Sequence, residues 1–252
     1  MSLNDFPQRL DVYLANNSLA PSRESAKKLI SSGYVLVDGI NICKPSFLVT
    51  ESAEVTVLEN DMNKYVSRGA LKLEEALNKF SVSVEGLVAA DIGASTGGFT
   101  DVLLQRGATH VYAIENGNGQ LHPKLLSDSR VTSMENVNAR YIEQGFIPMC
   151  DIVVMDVSFI SQTKLFHGIT NILKEGGILI SLIKPQFEAG KENIGKNGIV
   201  KDDGVRRRVI QSVCDDALLY GLENVSVISS PILGGYGNKE FLAYFINKGR
   251  VK

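Results

Sequence analysis

The 252-residue sequence predicts an α/β fold, a mostly parallel sheet alternating with helices, preceded by a small α+β module. Three features carry that expectation. Apolar runs at 87–91, 110–114, 131–135, 151–156 and 177–183 are separated by helical stretches near 98–105, 161–173 and 204–220, the pattern of buried parallel strands with crossover helices. The first run leads into Asp91-Ile-Gly93-Ala94-Ser95-Thr96-Gly97-Gly98-Phe99, a glycine-rich strand-to-helix turn. Near the N-terminus, Asp38-Gly39 joins two short β-prone segments, a strong hairpin signal.

In chain order, 8–16 and 22–31 read as short helices. Leu10, Tyr13 and Leu14 share one face of the first, and Ala26, Leu29 and Ile30 one face of the second. Ser22, after Pro21, is placed to cap the second helix, and Gly33 stops it. Segments 34–37 and 40–42 flank the hairpin turn, and 53–58 supplies a third alternating strand. This sets a first domain at 1–60, a polar linker at 61–66 and a large domain at 67–252. Strands at 225–229 and 241–246 close the large sheet, the last of them antiparallel.

Composition excludes several classes. A chain 44% hydrophobic can bury a substantial core, and a formal charge of −2 gives no global basic character. Cys43, Cys150 and Cys214 are odd in number and far apart, and the three histidines are equally scattered, so neither a disulfide framework nor a structural metal is expected. The N-terminus lacks a basic segment followed by an apolar core, and no apolar run reaches the ~18 residues that span a bilayer. The expected location is the cytoplasm.

Glycines 93, 97 and 98 would let a ligand approach the backbone closely, and the helix from about Phe99 offers free N–H groups above the strand ends. A nucleotide-like ligand suits such a turn, either a dinucleotide or S-adenosylmethionine. Glu115, after the next strand, fits a ribose diol in both cases. Four further segments place charges at strand ends or early in a helix: Lys72 in Ser67-Arg68-Gly69-Ala70-Leu71-Lys72, Asp156 in Val153-Val154-Met155-Asp156, Lys184 in Leu182-Ile183-Lys184-Pro185, and Glu240 in Gly237-Asn238-Lys239-Glu240. Two lysines and two carboxylates converging over one sheet must compensate each other, and such clusters mark functional sites.

This quartet and the glycine turn make the sequence similar to the TlyA family, bacterial S-adenosylmethionine-dependent rRNA 2′-O-methyltransferases related in their catalytic domain to the FtsJ enzymes and often labelled hemolysins. The resemblance extends over nearly the whole chain. It implies a Rossmann-like class I methyltransferase domain after an RNA-binding module of the small-subunit protein S4 type, whose RNA face corresponds to Ser22-Arg23-Glu24-Ser25-Ala26-Lys27-Lys28 and Gly33 to Gly39. It further implies that Lys72, Asp156, Lys184 and Glu240 are the catalytic tetrad. S-adenosylmethionine would be held by Asp91, Gly93, Ala94, Ser95, Thr96, Gly97, Gly98, Phe99, Glu115, Asn138 and Asp156, with 93–98 at its amino-acid end, Glu115 at the ribose and 135–140 near the adenine. Ribosomal RNA, within ribosomal subunits, is the implied partner, met by Arg23, Lys27, Lys28 and Arg68. The family shows an aromatic residue two positions before the Gln-Leu of 120–121, and this chain has Asn118 there, which alters the adenine side.

A ribose 2′-hydroxyl is a poor nucleophile until its proton is withdrawn, so methyl transfer from a sulfonium needs a base or a cation beside the oxygen, and collinear oxygen, carbon and sulfur. Lys184 is the expected group, with Asp156 orienting it and Lys72 and Glu240 positioning the nucleotide; no metal is required. Residues 1–62 carry five Lys/Arg against eight Asp/Glu, so RNA contact there must rely on the cluster Arg23, Lys27 and Lys28. Residues 184–208 hold seven Lys/Arg against four Asp/Glu, with Gly190, Gly195 and Gly198 in the first half, the pattern of a mobile basic loop beside the catalytic lysine. Two alternatives stand beside the enzyme: a non-catalytic RNA-binding assembly factor and a membrane-active hemolysin. The intact quartet argues against the first, and the lack of a spanning or large cationic amphipathic segment argues against the second.

Overall fold

The computed structural model describes residues 6–31, 33–57, 64–234 and 237–249. The chain forms two compact units, Met1–Tyr65 and Val66–Lys252.

The first helix of the first unit starts at Leu10 rather than at residue 8, because Gln8 and Arg9 form a short strand, β1, paired antiparallel with Val49 and Leu48. Helices α1 (Leu10–Asn16) and α2 (Arg23–Ser31) pack on a small sheet. Its strands are β2 (Val35–Val37), β3 (Ile40–Asn41) and, after β4 (Leu48–Val49), β5 (Val55–Val57), in the order β3-β2-β5. The turn between β2 and β3 has positive φ at both Asp38 and Gly39, as a type I′ hairpin demands. Ser22 Oγ accepts the Ser25 N–H at 3.2 Å, the capping bond expected of it. Leu10, Leu14, Ala26, Leu29, Ile30 and Val35 make the core. Each such fully buried large side chain contributes about 1.5–3 kcal/mol. Leu58 of the expected strand and residues 61–63 of the expected linker lie outside the described residues.

The second unit is built on seven strands: β6 (Val88–Ile92), β7 (His110–Ile114), β8 (Val131–Met134), β9 (Cys150–Met155), β10 (Leu173–Ile183), β11 (Leu222–Ser229) and β12 (Phe241–Asn247). They form one sheet in the order β11-β12-β10-β9-β6-β7-β8. β6 to β10 run parallel; β12 is antiparallel, as the sequence predicts, and is inserted between β10 and β11. Helices α3 (Ala70–Lys79), α4 (Gly98–Gln105), α5 (Pro123–Leu126), α6 (Phe166–Thr170), α7 (Pro185–Glu188) and α8 (Asp203–Leu218) connect or flank the strands. Val153, Val154 and Met155 are wholly buried, which is why that strand reads as an unbroken apolar run.

One expected helix is replaced by other structure. The stretch 161–173 is not one helix: it is a 3-10 turn at Gln162–Leu165, the short α6, and then β10, which starts at Leu173. The backbone at 172–173 is needed by the sheet, since the Cys150 N–H bonds the Ile172 carbonyl at 2.7 Å and Leu173 pairs with Cys150. The helix at Ala70–Lys79, for which no range was expected, carries Lys72 in its first turn.

Candidate active site

Sheet register assembles the charged quartet. Ile92 is paired with Met155, so the next residues, Gly93 and Asp156, meet at the carboxyl ends of β6 and β9, and the Asp156 N–H donates to the Ile92 carbonyl at 3.1 Å. Across β10 and β12, Ile183 is paired with Phe241, which sets Lys184 opposite Glu240. Lys72 enters from the first turn of α3. Its Nζ lies 2.7 Å from Glu240 Oε2 and 3.9 Å from Asp156 Oδ2. Lys184 Nζ is 2.5 Å from Asp156 Oδ1 in an ion pair and donates to Ser158 Oγ at 2.8 Å. Lys72, Lys184 and Glu240 are buried and Asp156 is about one-fifth exposed, so the charges alternate in a largely desolvated chain. Such pairs are strong only because each has its partner.

The glycine turn has a tighter role than ligand access alone. A Cβ on Gly93, whose φ is +80°, would stand 2.6 Å from the Asp156 carbonyl oxygen. On Gly97 it would strike Leu121 and Leu125, and on Gly98 it would strike Ser67 Oγ and the Ala70 nitrogen. These glycines let neighbouring segments close on the turn, and Gly93 also lines the cavities beside it. Thr100 donates both its N–H (2.9 Å) and its hydroxyl (2.7 Å) to Asp91 Oδ2. Asp91 Oδ1 is buried and has no partner among the described residues. Burial pushes the Asp91 carboxyl up to about 7; the Thr100 bonds oppose the shift, and the Asp156 and Glu115 charges add to it.

Two adjoining cavities open over the strand ends. The larger, about 640 Å³, is walled by Ile92, Ile114, Val137, Ile160 and Leu165, with Gly93, Ser95, Glu115, Asn138 and Asp156 as its turn and polar lining. The smaller, about 200 Å³, is lined by Asp91, Gly93, Ala94, Ser95, Thr96, Gly98 and Phe99 together with Asp156, Ser158 and Lys184. Every residue assigned to the cofactor from sequence borders one of them except Gly97. Glu115 ties the rim together, accepting the Ser95 N–H at 3.0 Å and the Gly117 N–H at 2.7 Å. Asn138 caps a 3-10 turn through the Arg140 N–H at 3.1 Å. Asn118 is exposed and lines neither cavity; Asn116, Gly117 and Gln120 form that rim instead.

Sequence reading missed three contributors. Ser158 borders both cavities. Gln186 Nε2 reaches Glu240 Oε1 at 3.5 Å. Gly234 leaves the space that the Glu240 carboxylate fills. Beside the cluster, the basic loop carries two 3-10 turns, at Lys191–Asn193 and Lys196–Gly198, with Lys191, Lys196 and Lys201 exposed. Its far end is tethered: Asn238 accepts the Val200 N–H at 3.1 Å and donates to the Gly198 carbonyl at 3.0 Å.

In the first unit the expected RNA cations are not all free. Asp11, with no exposed side-chain surface, accepts from Arg9 and Arg23, each at 2.9 Å, and the two guanidiniums hold its carboxyl below the usual range against the cost of burial. Lys27 stands 3.6 Å from Glu24, and Lys28 is exposed. In the second unit Arg68 lies between Ser67 and Gly69, which line the smaller cavity.

Residues 65–246 match the family model described as FtsJ-like methyltransferase, and residues 8–55 match the S4 domain. The chain is 40% identical over 240 residues to hemolysin A of Brachyspira hyodysenteriae, covering 94% of this chain and 99% of that one. It is 40% identical over 237 residues to the 16S/23S rRNA (cytidine-2′-O)-methyltransferase TlyA of Mycobacterium tuberculosis, covering 94% and 88%. A solved Streptococcus thermophilus structure, provisionally named a hemolysin, superposes with a TM-score of 0.75 at 42% identity, covering 98% of this chain and 90% of that chain.

Proposed function

The chain belongs to the TlyA family of FtsJ-like methyltransferases, and from that premise we propose that it transfers the methyl group of S-adenosylmethionine to the 2′-hydroxyl of a cytidine in ribosomal RNA. The observation that carries this reading is the alternating cluster Glu240–Lys72–Asp156–Lys184, whose Asp156 and Lys184 line the smaller cavity. A dehydrogenase has no use for it. Among the described residues no helix is long and apolar enough to cross a membrane, and nothing in the cluster serves pore formation.

The cofactor supplies an electrophilic methyl on sulfur, and the residues fit it. The apolar walls and the Glu115 carboxylate of the larger cavity suit a base and ribose. The unpartnered Asp91 Oδ1 beside the smaller cavity suits an α-ammonium. Asp156 and Ser158 stand where the two cavities meet. Lys184, in its ion pair, stabilises negative charge on the attacking oxygen as the hydroxyl proton leaves toward Asp156, the carboxylate of the cluster that borders the cavities. Asp156 fixes Lys184, while Lys72, anchored by Glu240, keeps Asp156 from standing unpaired as the nucleotide enters.

The Asp91 carboxyl gives this fit a pH signature. Its value is raised on folding, so the stability it confers is present at acid pH and lost as pH rises through about 7 in the ligand-free protein. Binding an ammonium requires the ionised form. Affinity for S-adenosylmethionine is therefore expected to fall about tenfold per pH unit between roughly 7 and 5, a range where an α-ammonium remains charged. Calorimetry across that range checks it, and Asp91→Asn should bind weakly without the pH slope; a flat wild-type profile removes Asp91 from the ammonium site.

RNA delivery is assigned to the S4 module, with Arg68 meeting the nucleotide on the methyltransferase side. Because Arg9 and Arg23 compensate the buried Asp11, replacing either confounds RNA binding with folding. The clean variant is Lys27→Ala with Lys28→Ala. It is expected to weaken binding to ribosomal subunits on the order of tenfold near 0.1 M salt and to lower the salt slope by about 2. An unchanged slope in filter binding takes this helix out of the interface. The activity itself is tested by incubating the full chain with methyl-tritiated S-adenosylmethionine and unmodified ribosomal subunits; label must enter RNA, and label confined to protein or absent refutes the reading.

A further inference from the structure

We propose that Ser158 is a positioning residue of the transfer step, its hydroxyl setting the direction of Lys184 Nζ at the seam of the two cavities; this rests on the methyltransferase reading above. Lys184 Nζ is held between two partners, Asp156 Oδ1 at 2.5 Å and Ser158 Oγ at 2.8 Å, so the carboxylate sets its distance and the hydroxyl supplies the second point that sets its direction. A hydrogen bond constrains direction where an ion contact constrains distance. An amine beside a reacting oxygen needs both.

The backbone around Ser158 is held at both ends. The Asp156 N–H bonds the Ile92 carbonyl, and the Gln162 N–H donates to Glu188 Oε1 at 2.9 Å. Glu188 follows Lys184 on the short α7, so the segment bearing Ser158 and the segment bearing Lys184 are tied directly. Between the anchors Phe159 adopts φ +64°, a conformation that costs a non-glycine residue on the order of 1 kcal/mol and persists only where the surroundings impose it. That bend follows immediately on Ser158. A serine on an imposed bend, bonded to the proposed catalytic nitrogen and bordering both cavities, is placed to keep Nζ aimed while the nucleotide enters.

The test uses the full chain with Ser158→Ala and Ser158→Thr, ribosomal subunits and S-adenosylmethionine. Ser158→Ala is expected to lower kcat by roughly 10–100-fold while the Kd for S-adenosylmethionine and the KM for subunits change less than about threefold. Ser158→Thr, which restores a hydroxyl, should recover most of the loss. A readout that needs no turnover is the side-chain ¹⁵N–¹H signal of Lys184, expected to be protected from exchange in the wild type and in Ser158→Thr and lost in Ser158→Ala. Wild-type kcat in Ser158→Ala overturns the proposal, as does a loss carried by cofactor affinity or one that threonine leaves unrepaired. A wild type that transfers no methyl, but whose Lys184 signal depends on Ser158, refutes the methyltransferase reading and not the bond; a signal indifferent to Ser158 refutes the bond.

Discussion

Lys184→Ala is expected to slow methyl transfer to ribosomal RNA on the order of 10²–10⁴-fold while leaving the affinity for S-adenosylmethionine within about threefold of wild type. The amine is the group that faces both the Asp156 carboxylate and the space where the smaller cavity opens, and it lines none of the larger cavity that suits the base and ribose. At the smaller cavity the cofactor's ammonium is assigned to Asp91, so loss of Lys184 removes charge stabilisation at the attacking oxygen and leaves the contacts assigned to base, ribose and ammonium in place. Lys184→Arg keeps the cation but cannot serve as a base, so it is expected to retain a few per cent of the rate; complete loss would mean that Lys184 takes the proton itself and would contradict charge stabilisation. Single-turnover kinetics beside calorimetry makes the measurement. Wild-type turnover in the alanine variant takes Lys184 out of the mechanism.

Gly93→Ala is expected to be comparably severe by a different route. An alanine there must adopt a left-handed backbone and place its Cβ 2.6 Å from the Asp156 carbonyl oxygen, a backbone atom fixed by the β6–β9 ladder. The conformation alone costs about 1–3 kcal/mol, and relieving the clash requires the ends of two central strands to separate. Since Gly93 borders both cavities and Asp156 joins them, this displacement reaches cofactor binding and catalysis together. A melting temperature lowered by several degrees and cofactor affinity weakened more than about tenfold are expected from thermal denaturation and calorimetry. A variant that melts and binds as the wild type does would mean that the turn yields easily and does not seat the ligand.

The site was legible in sequence because its residues stand at strand ends, where apolar runs break on a charge: Asp156 after β9, Lys184 after β10, Glu240 before β12. That the four charges compensate one another and that Asp156 orients Lys184 was expected from sequence; that Lys72 lies against Glu240 was not, since it depends on register between strands far apart in the chain. The bounds of the helix bearing Lys72 were not legible because its boundary signals are missing. Gly69 offers no side-chain cap, and the chain leaves the helix through Ser81 with φ +54° rather than through a glycine. At 161–173 the signal misleads in the other direction: Leu165, Ile169 and Ile172 share a helical spacing, but pairing of residues 172–173 with Cys150 takes the chain into the sheet. In the first unit, Asp11 sits beside Leu10 in a short helix and looks like an ordinary polar residue. Only the folded chain brings Arg23, twelve positions on, against it and turns part of the expected RNA patch into a structural ion network.

The most direct test is mass-spectrometric mapping of ribosomal RNA from subunits incubated with the full chain and S-adenosylmethionine. The predicted result is a mass gain of one methyl on the ribose of a cytidine, resistant to alkaline cleavage at that nucleotide, present with the wild type and absent with Lys184→Ala. Methyl groups on a base, or rRNA left unmodified by a chain that binds S-adenosylmethionine and subunits normally, would contradict it.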